Sequence, residues 1–259
     1  MKIGVFDSGL GGLVITKAFI NAMPEYDYFY YGDSANLPYG DKTFGHILSY
    51  TLDAMRYMIA NNCKLIIIAC NTATSVALRY IQQRFIPSYA PDVKVLGVVI
   101  PTVEVAIENN SQKIGVIATS ATIRSHIYRA ELHKIKPSLN VFEFAAPELV
   151  PAIEDNDFDT AEEFVREYCR SFVDCDSLIL GCTHYPLLKK IFRAELPAVK
   201  IVSQDELMAP KLKDYLSRHP EIETFLSKQG SRCFKVSHLN EHAQKVAANL
   251  FPEIPLVKA

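Results

Sequence analysis

Two of the six cysteines in this 259-residue chain stand apart by what surrounds them. Cys70 ends the run Leu65-Ile66-Ile67-Ile68-Ala69-Cys70 and is followed by Asn71 and Thr72; Cys182 ends Leu178-Ile179-Leu180-Gly181-Cys182 and is followed by Thr183 and His184. Each run reads as a buried strand that stops at a thiol, with polar side chains opening a helical stretch beyond it. A thiol, with an unperturbed pKa of about 8.5, can be tuned towards neutrality and then serve as a base when ionised or an acid when protonated. Two thiols on opposite sides of one small molecule suit a particular task. One removes a proton from one face of a stereocentre, and the other supplies a proton to the opposite face. A thiolate needs a helix N-terminus or nearby donors, and both positions offer them. Cys63, Cys169, Cys175 and Cys233 have no such setting and read as reduced structural thiols. No C-x-x-C pair occurs, and a chain of this length needs no disulfide scaffold.

The elements that must position these thiols follow from the alternation of short apolar runs with amphipathic stretches. Strands are expected at 2–6, 28–31, 65–69, 93–99, 114–118, 141–145, 178–180 and 233–236. Helices are expected near 11–22, 45–61, 72–85, 102–109, 122–135, 160–173, 185–194, 210–216 and 241–250. Apolar strands alternating with helices are the pattern of parallel sheets covered on both faces. A weak internal repeat runs through them. Ile3-Gly4-Val5-Phe6-Asp7-Ser8-Gly9 resembles Ile114-Gly115-Val116-Ile117-Ala118-Thr119-Ser120, and the two cysteine-bearing strands resemble each other. Gly4 precedes Cys70 by 66 positions and Gly115 precedes Cys182 by 67. Matched landmarks at matched spacing indicate a duplicated α/β unit: two similar domains with mainly parallel sheets, related by a pseudo-twofold axis. Such domains take ligands beyond the carboxyl ends of their strands, where both cysteines stand, so the site is expected in the interdomain cleft.

Composition removes other functions. Twenty-seven basic against 29 acidic residues give a formal charge of -2, without the basic stripe of a nucleic-acid binder. No apolar run approaches the length of a membrane span, and Asp7 falls where a secretory signal needs its apolar stretch, so a soluble cytoplasmic protein is expected. Asp7-Ser8-Gly9-Leu10-Gly11-Gly12 opens a helix and could hold a carboxylate on its backbone N–H groups, but it is neither a Rossmann fingerprint nor a Walker A loop. His238 and His242 have i,i+4 spacing; without a third ligand or an H-E-x-x-H frame they read as a solvated helix face, and no metal is expected. A binding module that closes over a small acidic ligand would have the same architecture, but it has no need of cysteines at mirrored strand ends.

Assembled, these segments resemble the glutamate racemases, a cofactor-independent family of the aspartate/glutamate racemase superfamily. The resemblance is carried by FDSGLGG (Phe6–Gly12), GDSANLPYG (Gly32–Gly40), ACNTAT (Ala69–Thr74), GVIATSAT (Gly115–Thr122) and LGCTHYP (Leu180–Pro186), in the family's order along essentially the whole chain. It implies that Cys70 and Cys182 are the catalytic acid/bases, with Asp7 assisting the first thiol and His184 the second. It further implies that Asp7, Ser8, Tyr39, Gly40, Asn71, Thr72, Thr119, Thr183 and His184 bind substrate. The family's accessory glutamate lies in a proline-rich loop, matched here by ELVPAIED, best by Glu154 with Glu148 as the alternative. Asn36 stands where the family commonly has arginine, and Glu148 where an apolar residue is usual. From the resemblance also come L- and D-glutamate as substrates, a supply of D-glutamate for peptidoglycan, no cofactor, and a homodimer of unspecified arrangement. Its implied domains are residues 1–97 plus 209–259, with the C-terminal helices returning to the first half, and residues 98–208. The nearest enzymatic alternative is a two-cysteine relative acting on aspartate or a hydantoin.

Overall fold

A computed structural model describes residues 1–259. Its ten strands are β1 (Lys2–Asp7), β2 (Tyr28–Gly32), β3 (Cys63–Ile68), β4 (Lys94–Gly97), β5 (Lys113–Ala118), β6 (Asn140–Ala145), β7 (Ser177–Gly181), β8 (Lys200–Val202), β9 (Arg232–Val236) and β10 (Leu256–Lys258). They form two sheets, and every pairing in both is parallel. The first sheet has the order β10-β9-β2-β1-β3-β4 and the second β6-β5-β7-β8. The order β2-β1-β3-β4 is therefore repeated as β6-β5-β7-β8, which is the duplication expected from the matched strand ends.

The strands are apolar on both faces because helices cover both. Ile3, Val5, Leu65 and Ile67 point to one side of the first sheet, and Phe6, Ile66 and Ile68 to the other; all are buried. Ile114, Val116 and Ile179 join the former set in one continuous core, while Ile117, Leu178 and Leu180 build a separate cluster. Fully burying one such side chain contributes about 1.5–3 kcal/mol. The helices are α1 (Gly12–Ala22), α2 (Phe44–Ala60), α3 (Asn71–Tyr80), α4 (Ile86–Tyr89), α5 (Val99–Glu108), α6 (Ser120–Ser125), α7 (Ile127–Ile135), α8 (Leu149–Glu154), α9 (Phe158–Cys169), α10 (Lys189–Glu195), α11 (Gln204–Arg218), α12 (Pro220–Glu223) and α13 (Glu241–Leu250). No helix is long and apolar enough to cross a membrane.

Several elements differ from expectation. The stretch 122–135 is two helices, because His126 takes left-handed φ and ψ and breaks α6 from α7. The stretch 72–85 leaves α-geometry at a π turn over Ile81–Phe85. The expected strand 93–99 ends at Gly97, since α5 begins at Val99. Strands β8 and β10 were not expected; three residues are too few to show a period. Helix α8 was expected as a proline-rich loop. Of the two boundaries expected between the halves, 97/98 falls between β4 and α5, while 208/209 falls inside α11, a continuous helix that packs on both α1 and α5.

The start of α11 is tied to the first cysteine's neighbourhood by a buried polar network. Gln204 and Asn71 exchange two hydrogen bonds: Asn71 Nδ2 donates to Gln204 Oε1 at 2.9 Å and Gln204 Nε2 donates to Asn71 Oδ1 at 2.8 Å. Tyr128 OH also donates to Asn71 Oδ1, at 2.6 Å, and Thr102 Oγ1 accepts from Gln204 Nε2 at 3.3 Å. Four elements (α3, α5, α7 and α11) are thereby fixed at one point between the sheets. Gln204→Ala leaves these groups buried and short of partners, and should lower unfolding free energy by about 1–3 kcal/mol in urea melts; an unchanged melt would show the network to be dispensable.

Candidate active site

In each half the same two strand ends lie side by side. β1 ends at Asp7 and its neighbour β3 leads through Ala69 to Cys70; β5 ends at Ala118, followed by Thr119, and its neighbour β7 ends at Gly181, followed by Cys182. Ser8, Tyr39, Gly40, Cys70, Asn71, Thr72, Thr119, Cys182, Thr183 and His184 all line one cavity, so the two thiols face a common space. Asp7 lies buried beneath it and Glu154 behind His184.

The two thiols are supported differently. Cys70 is the N-cap of α3, and its Sγ accepts from Ala73 N–H at 3.4 Å. Ser8 Oγ lies 3.3 Å from the same sulfur. Burial, reinforced by the nearby Asp7 carboxylate, pushes the Cys70 thiol up to about 12 against the pull of those two donors. Asp7 is itself raised by burial, although His184, the Gly9 and Gly12 N–H groups and the Thr183 hydroxyl all draw it down. Gly9 N–H donates to Asp7 Oδ2 at 3.2 Å, and Thr183 Oγ1 donates to Oδ1 at 3.2 Å from the other half of the molecule. Glycine is needed where these halves meet: a Cβ on Gly11 would stand 2.6 Å from Thr183 Oγ1. Within the first half, a Cβ on Gly12 would stand 2.5 Å from the Asp7 Cβ.

Cys182 has no α-helix starting directly behind it. The expected helix from Tyr185 begins as a 3-10 turn over Tyr185–Leu188, and α10 follows only at Lys189. Its partner is instead His184, whose Nδ1 lies 3.7 Å from Cys182 Sγ and whose Nε2 lies 2.5 Å from Glu154 Oε1. Burial alone would lower the His184 imidazole, but its hydrogen bonds with Cys182 and Glu154 outweigh burial and raise it well above 6.5. Burial opposes ionisation of Glu154, yet the same His184 hydrogen bond and charge hold its carboxyl below 4.5. Of the two candidate glutamates, Glu154 meets His184, whereas Glu148 accepts from Tyr168 OH at 2.6 Å.

The hydroxyl-bearing residues converge from both halves. Thr72 Oγ1 is 2.8 Å from Thr119 Oγ1 and 3.3 Å from Thr122 Oγ1, joining the N-termini of α3 and α6. The Tyr39 hydroxyl is turned away to donate to Asp33 Oδ2 at 2.7 Å, and Asn71 has its amide committed to Gln204 and Tyr128. Asn36, at the position where arginine was expected, donates to the same Asp33 carboxylate. Sequence reasoning missed Asp33, Gln204 and the cavity-lining Pro147 and Val150. Asp33 was visible within GDSAN; nothing marked Gln204. His238 and His242 do not share a helix face, because α13 begins only at Glu241, and His242 is not simply solvated: its Nε2 lies 3.7 Å from Glu154 Oε2. No group of three or more His, Cys, Asp or Glu side chains is arranged to hold a metal ion.

The His184–Glu154 pair makes stability depend on pH with a definite sign. His184 is raised on folding, so its contribution is complete below 6.5 and disappears as pH climbs through the raised value. Glu154 is lowered, so its contribution is complete above 4.5 and disappears as pH falls through the depressed value. Glu154→Gln should therefore cost about 2 kcal/mol between those limits, with the deficit shrinking as the solution becomes alkaline. Urea melts of both proteins across pH measure this; a deficit that grows with pH would contradict the pairing.

Comparison with known proteins places this geometry. Residues 15–208 match the family model for Asp/Glu/hydantoin racemases. The glutamate racemase of Ruegeria pomeroyi is 39% identical over 238 residues, covering 86% of this chain and 87% of the relative. Among solved structures, a glutamate racemase isoform from Bacillus anthracis superposes with a TM-score of 0.88 at 29% identity, over 100% of this chain and 96% of that one. The Francisella tularensis glutamate racemase, solved in complex with D-glutamate, superposes with a TM-score of 0.87 at 31% identity, over 99% and 95% of the two chains. With two like sheets, two cysteine-bearing strand ends on one cavity and relatives of this closeness along most of its length, the chain belongs to the Asp/Glu/hydantoin racemase family and, within it, to the glutamate racemases, a family of isomerases.

Proposed function

We propose that this enzyme interconverts L- and D-glutamate by 1,1-proton transfer between two thiols, and so supplies D-glutamate for peptidoglycan in the cytoplasm. The observation that carries this is the placement of Cys70 and Cys182 at equivalent strand ends of two repeated sheets, facing one cavity. In the forward sense one sulfur, as thiolate, takes the α-proton into a new S–H bond while the C–H electron pair stays on carbon. The other sulfur, as thiol, gives its proton to the opposite face of that carbon and becomes the thiolate. Atoms and charge balance with the two roles exchanged, and the reverse reaction starts from that state. No cofactor enters this scheme.

The surrounding groups take their roles from their placement. Ser8 and the α3 N-terminus support Cys70, and an ammonium group between Asp7 and Cys70 would offset the burial that raises both. His184, held by Glu154, presents an N–H to Cys182 and can stabilise a thiolate there. The Thr72 and Thr119 hydroxyls, with the backbone N–H groups at Gly40, Asn71 and Thr183, supply donors for carboxylates. An α-proton is a very weak acid, so these donors do much of the work by stabilising charge in the transition state. The same reading divides the chain into residues 1–97 plus 209–259 and residues 98–208, and includes the homodimer.

Incubation with L-glutamate in deuterium oxide should yield D-glutamate carrying α-deuterium, read by mass spectrometry and circular dichroism. Aspartate and hydantoins should be poor substrates. Cys70→Ser and Cys182→Ser should each abolish racemisation. Folded protein that gives neither inversion nor exchange would end the proposal, and wild-type turnover in either cysteine variant would end the two-thiol mechanism.

A further inference from the structure

One ionisable side chain beside the site, His242, has no role so far. Glu154 presents Oε1 to His184 Nε2 at 2.5 Å and Oε2 to His242 Nε2 at 3.7 Å, and no lysine or arginine pairs with it. Its two oxygens are thus shared between two imidazoles, one from the turn after β7 and one from α13. Glu154, His184 and His242 line a second cavity with Leu10, Val14 and Val246, and His184 lines the thiol cavity as well, so its ring is the wall between the two. The terminal torsion of a glutamate is broad, so a single bond on Oε1 leaves the carboxylate free to turn in this largely apolar wall. A second contact on Oε2 fixes its plane, much as outer partners orient metal-binding histidines.

Resting on the two-thiol reaction above, we propose that His242 is a positioning residue for the Cys182 side of that reaction, holding Oε2 of Glu154 so that Oε1 stays on His184 and His184 stays on Cys182. At 3.7 Å the contact is an ion-pair distance that a small turn of either side chain closes to a hydrogen bond. The ionisable groups across the cavity are Glu154 and His184; α13 itself carries Glu241 and Lys245. The elements packed on α13 add Lys17 of α1 and Lys258 of β10. Glu154 is the one carboxylate among these that contacts both histidines.

The test compares kcat, KM and the pH of half-maximal iodoacetamide alkylation at Cys182, followed by peptide mass spectrometry, with thermal melts to confirm folding. Glu154→Gln should move that pH upward, because His184 loses the anion that holds its proton. His242→Leu keeps the bulk and removes the N–H. It should lower kcat about tenfold with KM little changed, and move the alkylation midpoint in the same direction. His242→Gln keeps a donor and should retain most of kcat, the reverse of what a packing role requires. The double variant Glu154→Gln/His242→Leu should shift no further than Glu154→Gln alone. Wild-type behaviour of His242→Leu, a folded His242→Gln as slow as the leucine variant, or additive shifts in the double variant would overturn the assignment of His242 and leave His184 and Glu154 in place. A midpoint unmoved by Glu154→Gln would instead remove the support of Cys182 by His184, and the role of His242 with it.

Discussion

The proposed reaction places a proton acceptor on one face of a carbon and a proton donor on the other, and no single strand end supplies both. The arrangement of the two sheets answers that constraint. Parallel α/β sheets deliver side chains at the carboxyl ends of their strands. Two such sheets with the same strand order, turned towards a common cavity, bring one cysteine from each. The groups that join the halves lie at the point of convergence: the Thr72–Thr119–Thr122 hydroxyls, the Thr183 bond to Asp7, and the Gln204–Asn71 amide pair. Gly11 allows the first half's turn to approach Thr183 and His184 of the second half within side-chain contact.

The duplication gives two thiols in like positions but not two like environments. Cys70 caps a helix and sits near a buried carboxylate, so burial keeps it protonated. Cys182 lacks a helix directly behind it and faces an imidazole that Glu154 holds in the charged form. The two sides are thus unlike: one surrounds its thiol with a carboxylate, the other with an imidazole. In the proposed reaction, an ammonium group of the substrate beside Asp7 and Cys70 would favour the ionised forms that burial there opposes.

Much of this was legible in the sequence because it is carried by local pattern. Apolar runs ending at Cys70 and Cys182, with matched spacing from Gly4 and Gly115, were enough to expect parallel sheets in two like halves. What was not legible depends on contacts distant along the chain. The resemblance implied a proline-rich loop at Glu154, whereas Pro151 lies within the short helix α8, which carries that carboxylate to His184. His242 was read as solvated because helical spacing says nothing about which surface a helix face meets. Gln204 sits in no motif, and its importance lies wholly in the buried groups it pairs. The residues on either side of 208/209 belong to one helix, α11, which packs on both α1 and α5, and helical contacts of that kind are not written in local pattern.

The most direct measurement is a structure of this protein with L- or D-glutamate bound. The account predicts the α-carbon between the two sulfurs, each Sγ within about 3.5 Å of it on opposite faces, with the ammonium group towards Asp7. Both sulfurs on one face of the α-carbon, or glutamate bound with only one of them in reach, would contradict it.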